Sequence, residues 1–440
     1  MIRQLALALL AGALAACGDG EAGLDQSGPR PELPQLRETL LPPMNIARPA
    51  EWEGETPTVP EGFAITALAT DLAIPRQILV LPNGDILVAE GSGGGAPAIR
   101  PKDVIGGFIK ARGKTKVEGG NRVTLLRDAD GDGVAEVRSV LIEGLDAPYG
   151  LALVGSQLYV ANQDALLEFP YEEGQTRITV PGREVSRLPS ELNHHWTKAL
   201  TASPDGSMLY VGIGSNSNIT ERGMEAEIDR AMVWEIDRET GAHRPYATGL
   251  RNPTALAFHP ETGALWAAVN ERDELGAELV PDYITSVREG GFYGWPYSYW
   301  GRNVDPRVRP QKPELVRTSV TPDYAVGSHV APLGLAFAAG QGLAPGFANG
   351  AFVGMHGSWN RRNLVGYKVV WIPFAGGRPV GKPQDFITGF LKDGKARGRP
   401  VGVTLDPVGR ALLIADDLSN TVWRVTPVAR TAAPMQPASS

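Results

Sequence analysis

The strongest constraint on the fold is a repeat: a short apolar run, a glycine-bearing turn, and a second run rich in strand-forming residues. It is plainest where Ala199–Ala202 and Met208–Ile213 flank Pro204-Asp205-Gly206, which reads as a β-hairpin. Turns of the same kind fall at Asn83-Gly84, Gly155-Ser156, Thr262-Gly263, Asn349-Gly350 and Val408-Gly409, each followed by an apolar run such as Ile86-Leu87-Val88-Ala89 or Leu158-Tyr159-Val160-Ala161. Six strand-rich units of uneven length, punctuated by Gly and Pro, predict an all-β chain folded as a six-bladed β-propeller over residues 60–428. A β-sandwich is the structural alternative, but it does not require a repeat at blade length.

Propeller geometry then places specific side chains. In each blade the innermost strand runs along the central channel and the next returns, so residues just before the first and just after the second gather at one mouth. The leading residues are Arg76 and Gln77, Tyr149, His194 and His195, Arg251 and Asn252, His329, and Arg397 with Arg399. The trailing residues include Glu90, Asn162, Ser215, the Asn270–Asp273 run, the His356–Arg361 loop and Asp416-Asp417. Arg251, Arg361, Arg397 and Arg399 would suit a small polyanion, because guanidinium pairs bidentately with carboxylate. A neighbouring His would serve as a base near neutral pH. If the His pair enters an extended strand, alternation lets only one face the channel, and the register selects His195.

Outside the repeat, Met1–Ala16 carries one cation, Arg3, ahead of a Leu/Ala run, and Leu14-Ala15-Ala16 precedes Cys17, the one Cys of the chain. This is a secretory signal, and it resembles a bacterial lipobox, which implies cleavage before Cys17 and lipid attachment there. The alternative is an ordinary signal peptide with an incidental Cys. The expectation is an exported protein, lipid-anchored at the periplasmic face and touching the membrane only through that anchor. Residues 18–59, rich in Pro, Glu and Gly, read as a flexible tether, and 429–440 as a flexible tail. The net charge of -7, made more negative by loss of Arg3, leaves no electrostatic footprint for nucleic acid. With Cys17 acylated, no thiol remains for disulfides, thiolate-bound clusters or covalently attached haem.

Asp128-Ala129-Asp130-Gly131-Asp132-Gly133 has the acid spacing of an EF-type calcium loop, but Ser139 stands where the twelfth-position Glu belongs. A structural Ca²⁺ on Asp128, Asp130 and Asp132 and a simple acidic turn both remain open.

Gly249-Leu250-Arg251-Asn252-Pro253, followed by Tyr293-Gly294-Trp295-Pro296, resembles the Arg-Asn-Pro and Tyr-Gly-Trp-Pro signatures of soluble sugar dehydrogenases that use pyrroloquinoline quinone (PQQ), in particular the L-sorbosone dehydrogenase group. The resemblance runs over the whole body. It implies that His195 is the general base and that Arg251 and Asn252 hold PQQ, with Arg251 polarising its reactive carbonyl. It further implies that Arg397 and Arg399 meet the PQQ carboxylates, that Arg361 or Arg362 replaces a Lys contact, and that His329 lines the pocket. A Ca²⁺ would bridge PQQ and the backbone carbonyls of Glu271 and Arg272. The acid that precedes the base in relatives is here His194, so Glu191 or Asp164 is expected to orient His195. The Gln that helps bind glucose in relatives is replaced near Pro148-Tyr149, which argues against glucose.

The implied reaction is oxidation of an aldose or aldehyde sugar, sorbosone-like, to a lactone or acid. His195 would take a proton while hydride passes to the quinone. An external acceptor, a cytochrome or a quinone, must remove the electrons, because the chain has no haem motif. Two other classes stay open: a calcium-dependent propeller lactonase using Glu90, Asn162, Asn270 and Asp416, and a non-catalytic binding propeller.

Overall fold

A computed structural model describes residues 24–37, 43–338, 343–408 and 410–428. The leader with Cys17 and the tail 429–440 lie outside the described residues. The chain is nearly all-β. Six antiparallel sheets of four or more strands follow one another along it, led by Pro75–Val80, Gly150–Val154, Lys198–Ala202, Pro253–Phe258, Pro332–Ala338 and Pro400–Asp406. Each leading strand pairs with the second run of its repeat, for example Leu200 opposite Val211. Each also packs on the leading strands of its neighbours, the last returning to the first, which is the arrangement of a β-propeller. Six apolar layers fill the spaces between consecutive sheets, such as Leu87, Leu125, Leu151 and Leu158 between the first and second.

The last sheet is completed from the other end of the chain: Phe63–Ala69 supplies its outer strand, pairing with Thr421–Pro427. Four leading strands open on proline, at Pro75, Pro253, Pro332 and Pro400. Proline lacks the N–H that an interior ladder position requires, so it belongs at a strand's first residue. In all four the pairing slips just after that proline, and such bulges turn side chains toward a barrel or propeller mouth. The inner strands approach so closely that a Cβ on Gly402 would strike the Arg76 carbonyl.

Two expectations need correction. The fifth turn is not Asn349-Gly350, because Gly350 already begins the strand Gly350–Met355. The expected tether is not free where it is described: Ser27–Gly28 adds a strand to the fourth sheet, Arg48–Pro49 pairs with Lys395–Ala396, and Trp52 packs edge-on against Phe390 and Trp423. Leu33 and Leu36 rest on the core, and Ala47 is buried. Anchors this sparse leave no periodic signal, yet each buries apolar area against a preformed body. The Gly-rich insertion after Ile86–Glu90 carries the 11-residue helix Pro101–Ala111, which lies over the mouth.

Candidate active site

At the mouth a cavity of about 280 Å³ is lined by His194, His195, Arg251, Asn252, Asn270, Glu271, Asp273, Asp282, His329, Trp359, Asn360 and, from the insertion helix, Lys110. A second recess of about 270 Å³ adjoins it and shares Lys110, His194, Asp273 and Trp359.

His195 is half-buried. Its Nδ1 lies 2.7 Å from the Ser215 carbonyl and 3.1 Å from Ser215 Oγ. A carbonyl only accepts, so Nδ1 carries the hydrogen and Nε2 keeps its lone pair. Burial, then Arg251 and His194, holds the ring's pKa well below its usual value, so the imidazole is neutral. Neither Glu191 nor Asp164 orients it: Glu191 is exposed and meets this region through its carbonyl, which accepts from Asn216 Nδ2. The Ser215 carbonyl does that work, and no side-chain pattern advertises a backbone acceptor.

His194 does not turn away as strand alternation predicts. Both rings line the cavity, edge to face at 4.7 Å, because the pair sits in a loop and the strand begins only at Lys198. Withdrawal from bulk water, with Arg251 and Lys110 nearby, lowers His194 to about 4. The loop is clamped from behind by Arg230, which donates to the carbonyls of Gly214 and His195 at 2.9 and 3.0 Å. Gly214 is required there, since a Cβ would collide with both Asn252 Oδ1 and His195 Cβ.

Arg251 is buried and makes four hydrogen bonds, which leave one Nη2 N–H unspent. It donates to the Glu271 carbonyl at 2.8 Å, to the Asn270 carbonyl at 3.3 Å and to Asn218 Oδ1 at 3.0 Å. The Glu271 carbonyl expected to meet Ca²⁺ therefore already accepts from Arg251. Arg272 is not on the wall: its fully buried guanidinium pairs with Glu271 and Asp305 behind it. The open oxygens are side-chain ones. Asn252 Oδ1, Asn270 Oδ1, Glu271 Oε1 and Asn360 Oδ1 line the cavity buried and without a hydrogen-bond partner. Buried acceptors left unpaired are costly, and hard oxygens of this kind are what Ca²⁺ binds. On donor chemistry this wall fits the ion.

His329 stands in the left-handed region, φ 61°. Its Nδ1 is 3.1 Å from Asn360 Nδ2 and 3.4 Å from Asp273 Oδ1. Burial opposes charge on the ring, but Asp273 outweighs it and raises the pKa. The Asp273 carboxyl is in turn held low against its own burial by His329 and Arg251. Asp282 accepts from the Glu271 and Ala331 backbone N–H groups at 2.7 and 2.9 Å, and burial pushes it up to about 7.

The expected arginine ring does not converge. Arg361 pairs with Glu278 and donates to the Ser328 carbonyl, while its neighbour Asn360 faces the cavity and Arg362 is exposed. Arg397 pairs with Glu55 of the 43–59 stretch of the expected tether, a strap laid on the body, donates to the Gly389 carbonyl and stacks on Trp52. Arg399 is buried with an unpartnered Nη2, but off the cavity wall. The cation the sequence missed is Lys110, whose Nζ lies 3.7 Å from the Trp359 ring centroid. Burial lowers its pKa despite Asp273. Arg251 and Lys110 bring two cations to a wall that also carries the Asp273 and Glu271 carboxylates, and His329 adds a ring N–H; these donors suit the carboxylates of a planar tricarboxylate such as PQQ.

The acidic loop lies elsewhere, between Arg122–Arg127 and Val137–Ile142. It gathers Asp128, Asp130 and Asp132 with a fourth carboxylate, Glu136, all within 4.8 Å of one another. Ser139 takes no part, donating instead to the Thr176 carbonyl.

The chain is similar over 87% of its length to the whole of the PQQ domain of a holo pyranose dehydrogenase from Coprinopsis cinerea, with a TM-score of 0.69 and 18% identity. A calcium structure of a Trichoderma reesei carbohydrate-active enzyme of family AA12 matches 88% of this chain and 99% of that one, with a TM-score of 0.68 and 19% identity. An aldose sugar dehydrogenase of Escherichia coli is 33% identical over 102 residues, 23% of this chain and 26% of that protein. The TrAA12-like family profile matches residues 57–286 and 313–428, so Arg251-Asn252-Pro253 falls inside the match and Tyr293-Gly294-Trp295-Pro296 in its gap. The chain belongs to the TrAA12-like family.

Proposed function

We propose that this protein is a six-bladed propeller that oxidises an aldose or aldehyde sugar, sorbosone-like, to a lactone or acid with PQQ and Ca²⁺. The observation that carries the reading is the state of His195: Nδ1 is fixed on the Ser215 carbonyl and Nε2 is left unprotonated, with its lone pair available, on the cavity wall. Arg251, Lys110 and His329 would hold the carboxylates of PQQ. Asn252, Asn270 and Glu271 would hold Ca²⁺, which supplies a Lewis acid. When bound, PQQ supplies the two-electron oxidant.

His195 Nε2 takes the proton of the sugar hydroxyl, and the Ser215 carbonyl stabilises the imidazolium through Nδ1–H. The second recess, walled by Lys110, His194, Asp273 and Trp359, gives the sugar polar partners beside the cofactor. The electrons leave to an external cytochrome or quinone, at the periplasmic face if Cys17 carries lipid. A structural Ca²⁺ at Asp128, Asp130 and Asp132 belongs to the same proposal.

The test is titration of purified protein with PQQ and Ca²⁺, following the quinone absorbance, then a sugar panel with an artificial acceptor. A saturable absorbance change and sugar-dependent acceptor reduction are expected. Lactone hydrolysis without PQQ would transfer the site to the lactonase reading, and neither activity nor PQQ binding would leave a binding propeller.

A further inference from the structure

The insertion helix Pro101–Ala111 is amphipathic the wrong way round. Its inward side carries the charges: Arg100 at its N-cap pairs with Asp103 and Glu221, Lys102 with Glu274, and Lys110 enters the cavity. Its outward side carries Val104, Ile105 and Phe108, exposed by 48, 44 and 72%. Ile99 and Val117, just beyond the two ends, are exposed by 47 and 42%. A surface helix normally turns its apolar stripe to the core. Grouped apolar residues facing outward mark an interaction site.

The surrounding charge indicates the occupant. From Val104 to Val117 the chain has Lys110, Arg112, Lys114 and Lys116 and no acid, in a protein of net charge -7. Arg112, Lys114 and Lys116 are exposed, and Thr115 between the last two accepts from Asn420 Nδ2 at 3.2 Å, which fixes this basic turn to the body. Bulky apolar groups on a convex helix, flanked by cations, suit a negative surface that admits apolar side chains anywhere along it. That surface is the interface of a bilayer containing anionic lipid. With 11 residues the helix is too short to span one.

We infer that the 99–117 insertion is a membrane-surface docking element that seats the mouth of the propeller on anionic lipid. The inference is independent of the proposed reaction and of lipid on Cys17. The rest of the acidic surface is repelled by such a bilayer, so this element also sets the orientation.

The test is flotation of the full chain carrying Cys17→Ser, so that an acyl chain plays no part, with vesicles of phosphatidylcholine alone or mixed with phosphatidylglycerol. The protein is expected to float with the mixed vesicles only and to be released by high salt. Lys114→Glu with Lys116→Glu should lower partitioning by more than about tenfold, since each basic residue near an anionic surface contributes roughly fivefold. Phe108→Asp should lower it through the apolar term. None of these three residues lines the cavity, so turnover with a soluble acceptor should be unchanged. Failure of the Cys17→Ser chain to float with the mixed vesicles, or flotation of the variants equal to their parent, overturns the inference. Binding to an acidic redox protein that Phe108→Asp abolishes, without vesicle binding, overturns it in favour of a protein partner.

Discussion

The two halves of the mouth are built from similar residue types, yet one has paired its charges far more completely than the other. On one side Arg76 pairs with Asp417, His356 Nε2 lies 3.0 Å from the same carboxylate, and Arg397 pairs with Glu55. Burial works against the Asp417 charge, but His356 and Arg76 outweigh it and bring the carboxyl down to about 2. On the other side His195 keeps a free Nε2, four buried oxygens lack donors, and Lys110 meets only an aromatic face. A gathering of charges does not by itself make a site. What separates the halves is how far those charges have satisfied one another: on the paired side Arg76 Nε and Arg399 Nη2 stay without a partner, and a satisfied pair gains little from a ligand.

Substitutions on the two sides should therefore differ in kind. His195→Ala is expected to have the largest effect, a loss of roughly 10² to 10⁴ in turnover with PQQ affinity near wild type. Pre-steady-state reduction of the loaded protein by sugar would measure it, and fast reduction would remove His195 as the base. The same residue fixes the pH response. Because its pKa lies well below the usual value, turnover should stay level as pH falls through 6.5 and drop only at lower pH, where Nε2 protonates. A drop centred near 6.5 would contradict the neutral, half-buried imidazole.

Arg251→Ala should weaken PQQ binding by about 1.5–3 kcal/mol, the value of a hydrogen bond to a charged group, read by titration. Asp282→Asn is expected to destabilise the fold by about 1–3 kcal/mol, since an amide N–H₂ must then face one of two backbone donors; thermal unfolding would report it. The smallest effect belongs to the closed half. Arg397→Ala should leave PQQ affinity nearly unchanged, because its guanidinium is spent on the strap. A loss equal to that of Arg251→Ala would erase the distinction between the halves.

The hairpins were legible because strand alternation and turn chemistry are local. The strand Met208–Ile213 has the bounds its apolar run predicts, and the leading residues of the third, fourth and fifth repeats gather at one cavity, whereas Arg76, Tyr149, Arg397 and Arg399 stay off its wall. His195, Arg251, Asn252 and His329 came together as expected. What the sequence hid depends on distant partners. Glu55 and Glu278, which claim Arg397 and Arg361, come from the strap and from the loop between Leu265–Val269 and Pro281–Ser286, and nothing in an arginine's own neighbourhood predicts them. Lys110 was hidden for a related reason, since an insertion outside the repeat carries no register from which to infer its direction. The Ser215 carbonyl is invisible to any reading of side chains.

The strand Phe63–Ala69, borrowed to finish the last sheet, makes the body a circle clasped by its two ends. Stacked repeats in an open array need polar caps on their terminal faces, whereas a circle has no terminal face to cap. The clasp imposes an order of events instead. Of the strands that pair within the last sheet, the first synthesised is the last to find its partner, so every shorter chain keeps an open seam with apolar faces on both sides. Contacts of such long sequence separation form slowly, and removal of Thr421–Pro427 would expose two layers of core rather than fray one edge.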